Sequence, residues 1–304
     1  METATTTTDA ATEAALGNES LRRDLVALAR PRLALLGLLT VILSYVVAQS
    51  PESDLRRFVW LVVGSLMVLG GASVLNQVLE HEADSRMRRT QDRPIPAGRM
   101  RPPSAAVYGT ALTVAGLIAL WIGVNSLTAV CAAIGLAVYV VAYTPMKPVT
   151  SLSTVVGALP GAVPVLMGWA AARGSLDREA WTLFGILFLW QLPHFLAIAW
   201  MYRGDYDRAG FRMLPAEDPG GGSTARQVVL YAAALLPVSL LPPILGLAGP
   251  LYFFGALVLG LAYLAVGWRM GVARTGAAAR RLLRMSVLYL PLLLGLLAVD
   301  RAIF

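Results

Sequence analysis

Residues 58–79 read FVWLVVGSLMVLGGASVLNQVL, and these 22 residues include no Lys, Arg, Asp, Glu or His. A helix needs roughly 20 consecutive, mostly apolar residues to cross the hydrocarbon core of a bilayer. The stretch therefore predicts a transmembrane helix. The acidic and basic residues that follow it mark the point where the chain leaves the membrane.

Eight further stretches of the chain meet the same criterion approximately. They are residues 32–49, 106–123, 127–144, 154–171, 181–201, 228–247, 251–268 and 284–303. Hydrophobic residues make up 57% of the chain and charged residues only 14%, which is far more apolar than a soluble domain. We predict an all-α integral membrane protein with nine transmembrane helices. The prolines and glycines of 154–171 indicate a kinked, tightly packed helix inside the bundle.

The first 20 residues are small and polar, and they contain neither a basic residue nor an apolar run of signal-peptide length. We interpret residues 1–25 as a disordered cytoplasmic tail and residues 26–304 as one nine-helix membrane domain. The single cysteine, Cys131, lies in an apolar stretch and is expected to pack in the interior.

Basic residues are distributed unequally between the two ends of the predicted helices. Of the 25 Lys and Arg residues, 20 fall on the side of the N-terminus and of the loops after the second and sixth helices. Because cytoplasmic loops carry the excess of basic residues, we expect the N-terminus and both loops to face the cytoplasm from the cell (plasma) membrane. The net charge of +7 does not indicate nucleic-acid binding, since the basic residues lie in short loops between apolar segments.

The loop after the second helix begins with polar residues spaced four apart, namely Asn76, Glu80 and Asp84. If the helix continues, they form one stripe about 12 Å long, at 1.5 Å per residue. Such oxygen ligands suit Mg²⁺, which completes its shell with water and substrate phosphate. Arginines just beyond the stripe suit a diphosphate, because guanidinium groups match phosphate oxygens. The alternative interpretation is a solvated helix end with topology-setting arginines.

The loop after the sixth helix has a second acidic cluster, Asp205 and Asp207, interleaved with Arg203, Arg208 and Arg212. Two acidic clusters on the same membrane face could hold one diphosphate from opposite sides. Taken alone, this loop is also compatible with an ordinary juxtamembrane turn.

The segment NQVLEHEADSRMRRTQDRPIPAGRM, residues 76–100, closely resembles the first acidic motif of the UbiA superfamily of intramembrane prenyltransferases. More narrowly, four strings resemble the branch of that superfamily that farnesylates haem. These are Met87-x-x-Thr90, Tyr143-Thr144-Pro-Met-Lys147, Trp190-Gln-x-Pro193-His194-Phe195 and Asp205-Tyr206-x-x-Ala209-Gly210. The resemblance extends over roughly residues 25 to 300.

This resemblance implies a helical bundle with a central cavity that opens to the membrane and is capped by cytoplasmic loops. It also implies that Mg²⁺ assists departure of diphosphate from farnesyl diphosphate and that a vinyl group of haem b captures the farnesyl group, giving haem O. The lipid bilayer is the third partner, and a haem A synthase or a terminal oxidase are candidate protein partners.

The resemblance also assigns roles to individual residues. Asn76, Glu80, Asp84 and Asp205 would be metal and diphosphate ligands, with Tyr206 beside the last of them. Arg88, Arg89, Arg93 and Arg203 would contact the diphosphate. Lys147, the only lysine, would meet a diphosphate oxygen or a haem propionate. Trp190, His194 and Phe195 would flank the porphyrin, with His194 as a candidate iron ligand; the alternative is a histidine hydrogen-bonded to a neighbouring helix.

Other functions remain as alternatives. A related enzyme could prenylate a quinone precursor or another aromatic acceptor with the same diphosphate site. A transporter would have ionisable groups near mid-bilayer, whereas the charges here collect at one surface. An assembly factor for a terminal oxidase could bind haem, but two acidic clusters would then have no role.

Overall fold

The structure, a computed structural model, describes residues 19–49 and 54–303, and within them all regular secondary structure is helical. The expected disordered tail lies outside the described residues up to position 18. Residues 19–25, also predicted to belong to the tail, are helical instead. They continue into Leu28, which is fully buried beside Val74, and Asp24 accepts a hydrogen bond from Arg99 Nε at 3.0 Å.

Eight helices form the N-terminal half. They are α1 (Glu19–Ala29), α2 (Pro31–Val47), α3 (Leu55–Leu79), α4 (His81–Ser85), α5 (Pro102–Gly123), α6 (Ser126–Ala137), α7 (Thr144–Met146) and α8 (Ser153–Arg173). A π-helical turn, Val138–Tyr143, joins α6 to α7.

Seven helices form the C-terminal half. They are α9 (Arg178–Met201), α10 (Arg203–Ala209), α11 (Leu214–Glu217), α12 (Gly222–Ser239), α13 (Leu241–Ile244), α14 (Pro250–Ala273) and α15 (Gly276–Ile303).

The predicted membrane spans correspond to these helices. In the described residues, eight helical segments are long and apolar enough to cross a bilayer by themselves, and the bent pair α1 and α2 makes a ninth when it is counted as one span. This pair bends by 45° at Arg30, whose φ of 47° is left-handed. A non-glycine residue in that region is strained, and it keeps this conformation only where its surroundings hold it there. The prediction of a nine-helix, all-α membrane protein is confirmed.

The most deeply buried helix is α8, which packs against α2, α6 and α9. Ser44 Oγ donates to Val165 O at 2.7 Å, and Gln191 Nε2 donates to Ala158 O at 3.0 Å. Both prolines of α8 lie inside one helix. The predicted tight packing of this segment is confirmed, and it gives the bundle a fixed centre.

Helices α3 and α5 approach closely because glycines face each other between them. A Cβ added to Gly116 would lie 2.8 Å from the carbonyl oxygen of Gly64, and one added to Gly64 would lie 3.1 Å from that of Gly116. Small residues are what allow transmembrane backbones to come this near. The contact fixes α3, the helix whose C-terminal end bears the first acidic motif.

Candidate functional site

The polar loops enclose a cavity of about 220 Å³ at the end of the bundle where α3 and α9 terminate. Its wall combines charged groups with aromatic and aliphatic side chains. The lining residues are Arg30, Asn76, Glu80, Asp84, Met87, Arg89, Arg93, Tyr139, Tyr143, Lys147, Thr154, Phe195, Ile198, Ala199, Tyr206, Phe211 and Met213.

The predicted stripe of Asn76, Glu80 and Asp84 lies in this wall. Helix α3 ends at Leu79 and α4 begins at His81, so Glu80 is a junction between helices. The one-turn spacing nevertheless persists, because Glu80 N donates to Asn76 O at 2.9 Å and Asp84 N donates to Glu80 O at 2.7 Å. The three side chains are buried, with 2%, 7% and 1% of their surface exposed. Their carboxylate and amide groups therefore face one enclosed space.

Both carboxylates have a cationic neighbour. Lys147 Nζ lies 2.5 Å from Glu80 Oε1, and Arg93 forms an ion pair with Asp84 Oδ2. Burial alone would lower the pKa of Lys147, but Tyr143 and Glu80 raise it above its ordinary value, so the ammonium group stays charged. Charge pairing is what makes such burial tolerable.

The oxygens in this wall fit a magnesium ion. No group of three His, Cys, Asp or Glu side chains that could hold a metal occurs in residues 19–49 and 54–303. Mg²⁺ does not need such a cage, because it is commonly held by one or two carboxylates together with water and substrate phosphate. Asp84 Oδ1 is buried and has no hydrogen-bond partner among the described residues. A buried acceptor of this kind is costly unless a ligand uses it.

The second acidic motif does not face the first. Asp205 pairs with Arg208 one turn further along α10 and is not part of the cavity wall. An i, i+3 spacing places the two side chains on the same helix face, which accounts for the pairing. Tyr206 does line the cavity, and its hydroxyl oxygen accepts from Arg89 Nη2 at 3.4 Å. The structure thus brings Tyr206, but not Asp205, to the acidic stripe.

The predicted diphosphate arginines separate into two groups. Arg89 and Arg93 line the cavity. The guanidinium carbon of Arg89 lies 5.2 Å from the centre of the Tyr202 ring. Arg88 and Arg203 are exposed and lie outside the wall, and the guanidinium of Arg203 lies 4.9 Å from the Trp200 ring.

The three aromatic residues predicted on α9 also face different directions. Phe195 lines the cavity, whereas Trp190 and His194 face α15. His194 Nδ1 lies 2.7 Å from Ser286 Oγ, and Trp190 Nε1 donates to Ser286 O at 2.8 Å. Consecutive helix positions are about 100° apart, so Phe195 and His194 cannot share a face. The structure places His194 in the interhelical hydrogen bond that was the alternative to a haem contact.

Nine lining residues were not predicted as site residues, and four of them have a basic or aromatic side chain: Arg30, Tyr139, Tyr143 and Phe211. The rings of Tyr139 and Tyr143 lie 5.5 Å apart, and Lys147 Nζ lies 4.4 Å from the Tyr143 ring. Two tyrosines four residues apart within an aliphatic span were a usable signal. Arg30 gave none, because an arginine before the first span is also what membrane topology requires.

Comparison with known proteins places the chain in a family. The model of the UbiA prenyltransferase family matches residues 37–290. A protoheme IX farnesyltransferase from Solibacter usitatus (strain Ellin6076) is 48% identical over 288 residues, which cover 92% of this chain and 99% of that relative.

Solved structures share the fold. A digeranylgeranylglyceryl phosphate synthase superposes with a TM-score of 0.77 at 16% identity, over 93% of this chain and 99% of the other. A UbiA homologue from Archaeoglobus fulgidus bound to GPP and Mg²⁺ superposes with a TM-score of 0.69 at 13% identity, over 90% and 99%. The family match over most of its length and the 48% identical relative show that the chain belongs to the UbiA prenyltransferase family.

Proposed function

We propose that the chain transfers a farnesyl group from farnesyl diphosphate to a vinyl group of haem b and so makes haem O. The observation that carries this proposal is the near-full-length similarity to protoheme IX farnesyltransferases. The cavity agrees with it, because one wall can bind a diphosphate while the other is suited to an isoprenoid chain.

The charged wall serves the leaving group. Asn76, Glu80 and Asp84 would hold Mg²⁺, which neutralises the charge of the departing diphosphate when it is bound. Lys147 and Arg93 would then pass from the carboxylates to phosphate oxygens, so no charge in the site is left unpaired. Arg89 lines the cavity and is exposed, so its guanidinium group would be able to move and bind a substrate oxygen. Asp205 would join this set only after exchanging Arg208 for the metal and diphosphate.

The apolar wall serves the reacting carbon. Met87, Phe195, Ile198 and Met213 surround the space beside the charged groups and would exclude water from the allylic centre. The C1–O bond of farnesyl diphosphate breaks, and the diphosphate leaves with the electron pair. C1 bonds to the terminal vinyl carbon, and a water molecule adds to the resulting cation beside the porphyrin and releases a proton.

We also propose an orientation of the chain in the membrane. The distribution of basic residues favours a cytoplasmic N-terminus and a cavity that opens on the cytoplasmic side. A farnesylated haem is apolar enough to remain in the bilayer, where a haem A synthase or a terminal oxidase could receive it.

A product assay tests the function. Membranes that contain the chain are incubated with haem b, farnesyl diphosphate and Mg²⁺. The haems are then separated by chromatography, and their masses are measured by mass spectrometry. We expect a more hydrophobic haem with the mass of haem O, and far less of it from membranes with Asp84→Asn. Prenylation of a phenolic quinone precursor without any modified haem would show that the acceptor is wrong although the enzyme class is right.

A further inference from the structure

The side-chain amide of Asn76 is hydrogen-bonded to Thr144, a residue that does not line the cavity. Asn76 Nδ2 donates to Thr144 Oγ1 at 3.0 Å, and Thr144 Oγ1 donates to Tyr139 O at 2.8 Å. Asn76 and Thr144 are 2% and 4% exposed, so water does not compete for these hydrogen bonds. The π-helical turn brings this about, because Tyr139 lies within it and Thr144 follows it as the C-cap, whose backbone N–H also donates to Tyr139 O.

The number of available protons fixes the direction of these hydrogen bonds. A threonine hydroxyl has one proton, and here Tyr139 O accepts it. Thr144 Oγ1 can therefore only accept from Asn76, which must present its NH₂ group there. The oxygen of an amide points away from its nitrogen, so Asn76 Oδ1 is turned away from Thr144. Asn76 lines the cavity beside Glu80 and Asp84.

We propose that Thr144 is a positioning residue that orients Asn76 with its oxygen toward the cation and diphosphate; this proposal rests on the proposed function. An amide turned the other way would present two N–H donors to a cation, which repels them. Without the hydroxyl, the two orientations have nearly the same shape and neither is selected. Outer hydrogen bonds of this kind orient ligands in many metal sites.

Two substitutions at one position separate orientation from packing. Thr144→Val keeps the shape and removes the hydroxyl, and Thr144→Ser keeps the hydroxyl and removes a methyl group. The probe is Mg²⁺ titrated calorimetrically into the purified full chain with inorganic pyrophosphate present. We expect Thr144→Val to weaken Mg²⁺ binding about tenfold, which is the size of one hydrogen bond, and Thr144→Ser to stay within about twofold of wild type. In turnover assays, excess Mg²⁺ should restore most of the rate of Thr144→Val.

A matched control comes from α5. Thr113 is also buried, at 3% exposure, and donates to Gly109 O at 2.7 Å, but it is not in the cavity wall. Thr113→Val should leave Mg²⁺ binding unchanged even if it lowers the melting temperature. A second measurement repeats Thr144→Val in an Asn76→Ala background, where it should have no further effect on binding.

Three results would overturn the proposal: wild-type Mg²⁺ affinity in Thr144→Val, an equal loss in Thr144→Ser, or the same loss in Thr113→Val. The titration contains neither haem nor a farnesyl group. It therefore tests the role of Thr144 separately from the identity of the acceptor, which only the product assay addresses.

Discussion

Glu80 and Asp84 lie one helical turn apart in the same wall, yet their surroundings differ. Glu80 meets an ammonium group, which is a compact point charge, whereas Asp84 meets the planar guanidinium of Arg93 through Oδ2 alone. Asp84 Oδ1 thus remains a buried acceptor aimed at a cavity. Asp84 therefore offers a ligand an oxygen that has no hydrogen-bond partner among the described residues.

Asp84→Asn is expected to lower kcat/KM roughly a hundredfold or more, since it removes the charge that faces the leaving group and would cost a few kcal/mol of transition-state stabilisation. The measurement is steady-state turnover at limiting Mg²⁺, with thermal melting in detergent to show that the variant folds. The matched control is Asp207→Asn, at an exposed position of the other loop, which should keep near-normal turnover. Near-normal turnover in Asp84→Asn would contradict the assignment of the metal site.

Asp205→Asn tests the second acidic motif. The sequence predicts a loss of turnover as large as that of Asp84→Asn, because the Asp205 carboxylate would bind the diphosphate and its metal from the opposite side. That prediction holds only if Asp205 leaves Arg208 when the substrate binds. Turnover within about twofold of wild type corresponds to a smaller free-energy change than a shift of one pKa unit. It would instead make Asp205 a structural partner of Arg208.

At this scale the sequence predicted the acidic stripe because a four-residue period survives a break between helices. It did not predict the pairing of Asp205 with Arg208, since both ligand and ion-pair roles need the same residue types. The position of His194 was also open. A single residue in a span faces either the cavity or a neighbouring helix, and only the rotation of α9 decides which.

At the scale of elements, the junction of α9 and α15 depends on Ser286. We expect Ser286→Ala and His194→Ala to lower the free energy of unfolding by similar amounts, about 1 kcal/mol each, because each removes the same partly buried hydrogen bond. The double variant should cost little more than either single one. Thermal melting in detergent measures these changes. A loss of haem binding in His194→Ala that Ser286→Ala does not share, seen in the haem absorption spectrum, would restore the porphyrin contact that the sequence suggested.

The start of α12 is expected to depend on pH through Asp218. Its Oδ2 accepts from Thr224 N at 2.8 Å and from Thr224 Oγ1 at 3.2 Å. Burial alone would raise the pKa of Asp218, but these hydrogen bonds lower it below the ordinary value of 3.8. A carboxylate with a lowered pKa stabilises the fold above its unfolded pKa, and this contribution disappears as the pH falls through its folded pKa.

Melting of wild type and Asp218→Asn between pH 7 and pH 3 tests this. Wild type should melt higher at pH 7, and the difference should shrink once the pH falls below 3.8. A difference that stays constant, or that grows on acidification, would contradict the role of the charge. The exposed Asp207→Asn variant again serves as the control, since a general effect of charge would appear there too.

The elements themselves were largely predictable from the sequence. Each apolar stretch of span length became a helix, because a backbone in a bilayer must satisfy its hydrogen bonds internally. The helical start at residues 19–25 was not predicted, since its polar composition resembles a tail and only its contacts near Leu28 and Arg99 hold it. The bend at Arg30 was equally hidden, because a left-handed arginine has no sequence signature.

At the scale of the whole molecule, the orientation in the membrane is the main prediction. Cysteines introduced at Ser104 and Ser223 should react in intact cells only with membrane-permeant reagents, because 20 of the 25 basic residues lie at their end of the bundle. Ser126→Cys, at the opposite end, should react with impermeant reagents as well. The native Cys131 is buried and should contribute little background.

Labelling of Ser104→Cys by an impermeant reagent applied outside would reverse this topology. The fold would be unaffected, but the cavity would then open away from the cytoplasm. The number of spans follows from hydropathy, whereas the orientation follows only from the charges between them.

The close contact between α3 and α5 also determines which sequence changes the protein tolerates. Gly64 and Gly116 have no room for a methyl group, because a Cβ at Gly116 would lie 2.8 Å from the backbone oxygen of Gly64 and one at Gly64 would lie 2.8 Å from Leu120 Cγ. Val63, next to Gly64, and Ile118, two residues after Gly116, are 43% and 52% exposed and point outward. In a saturation library, any apolar residue should be accepted at the two outward positions and only glycine at the inner two. Part of the sequence constraint on this protein would then lie at two glycines that are outside the cavity wall.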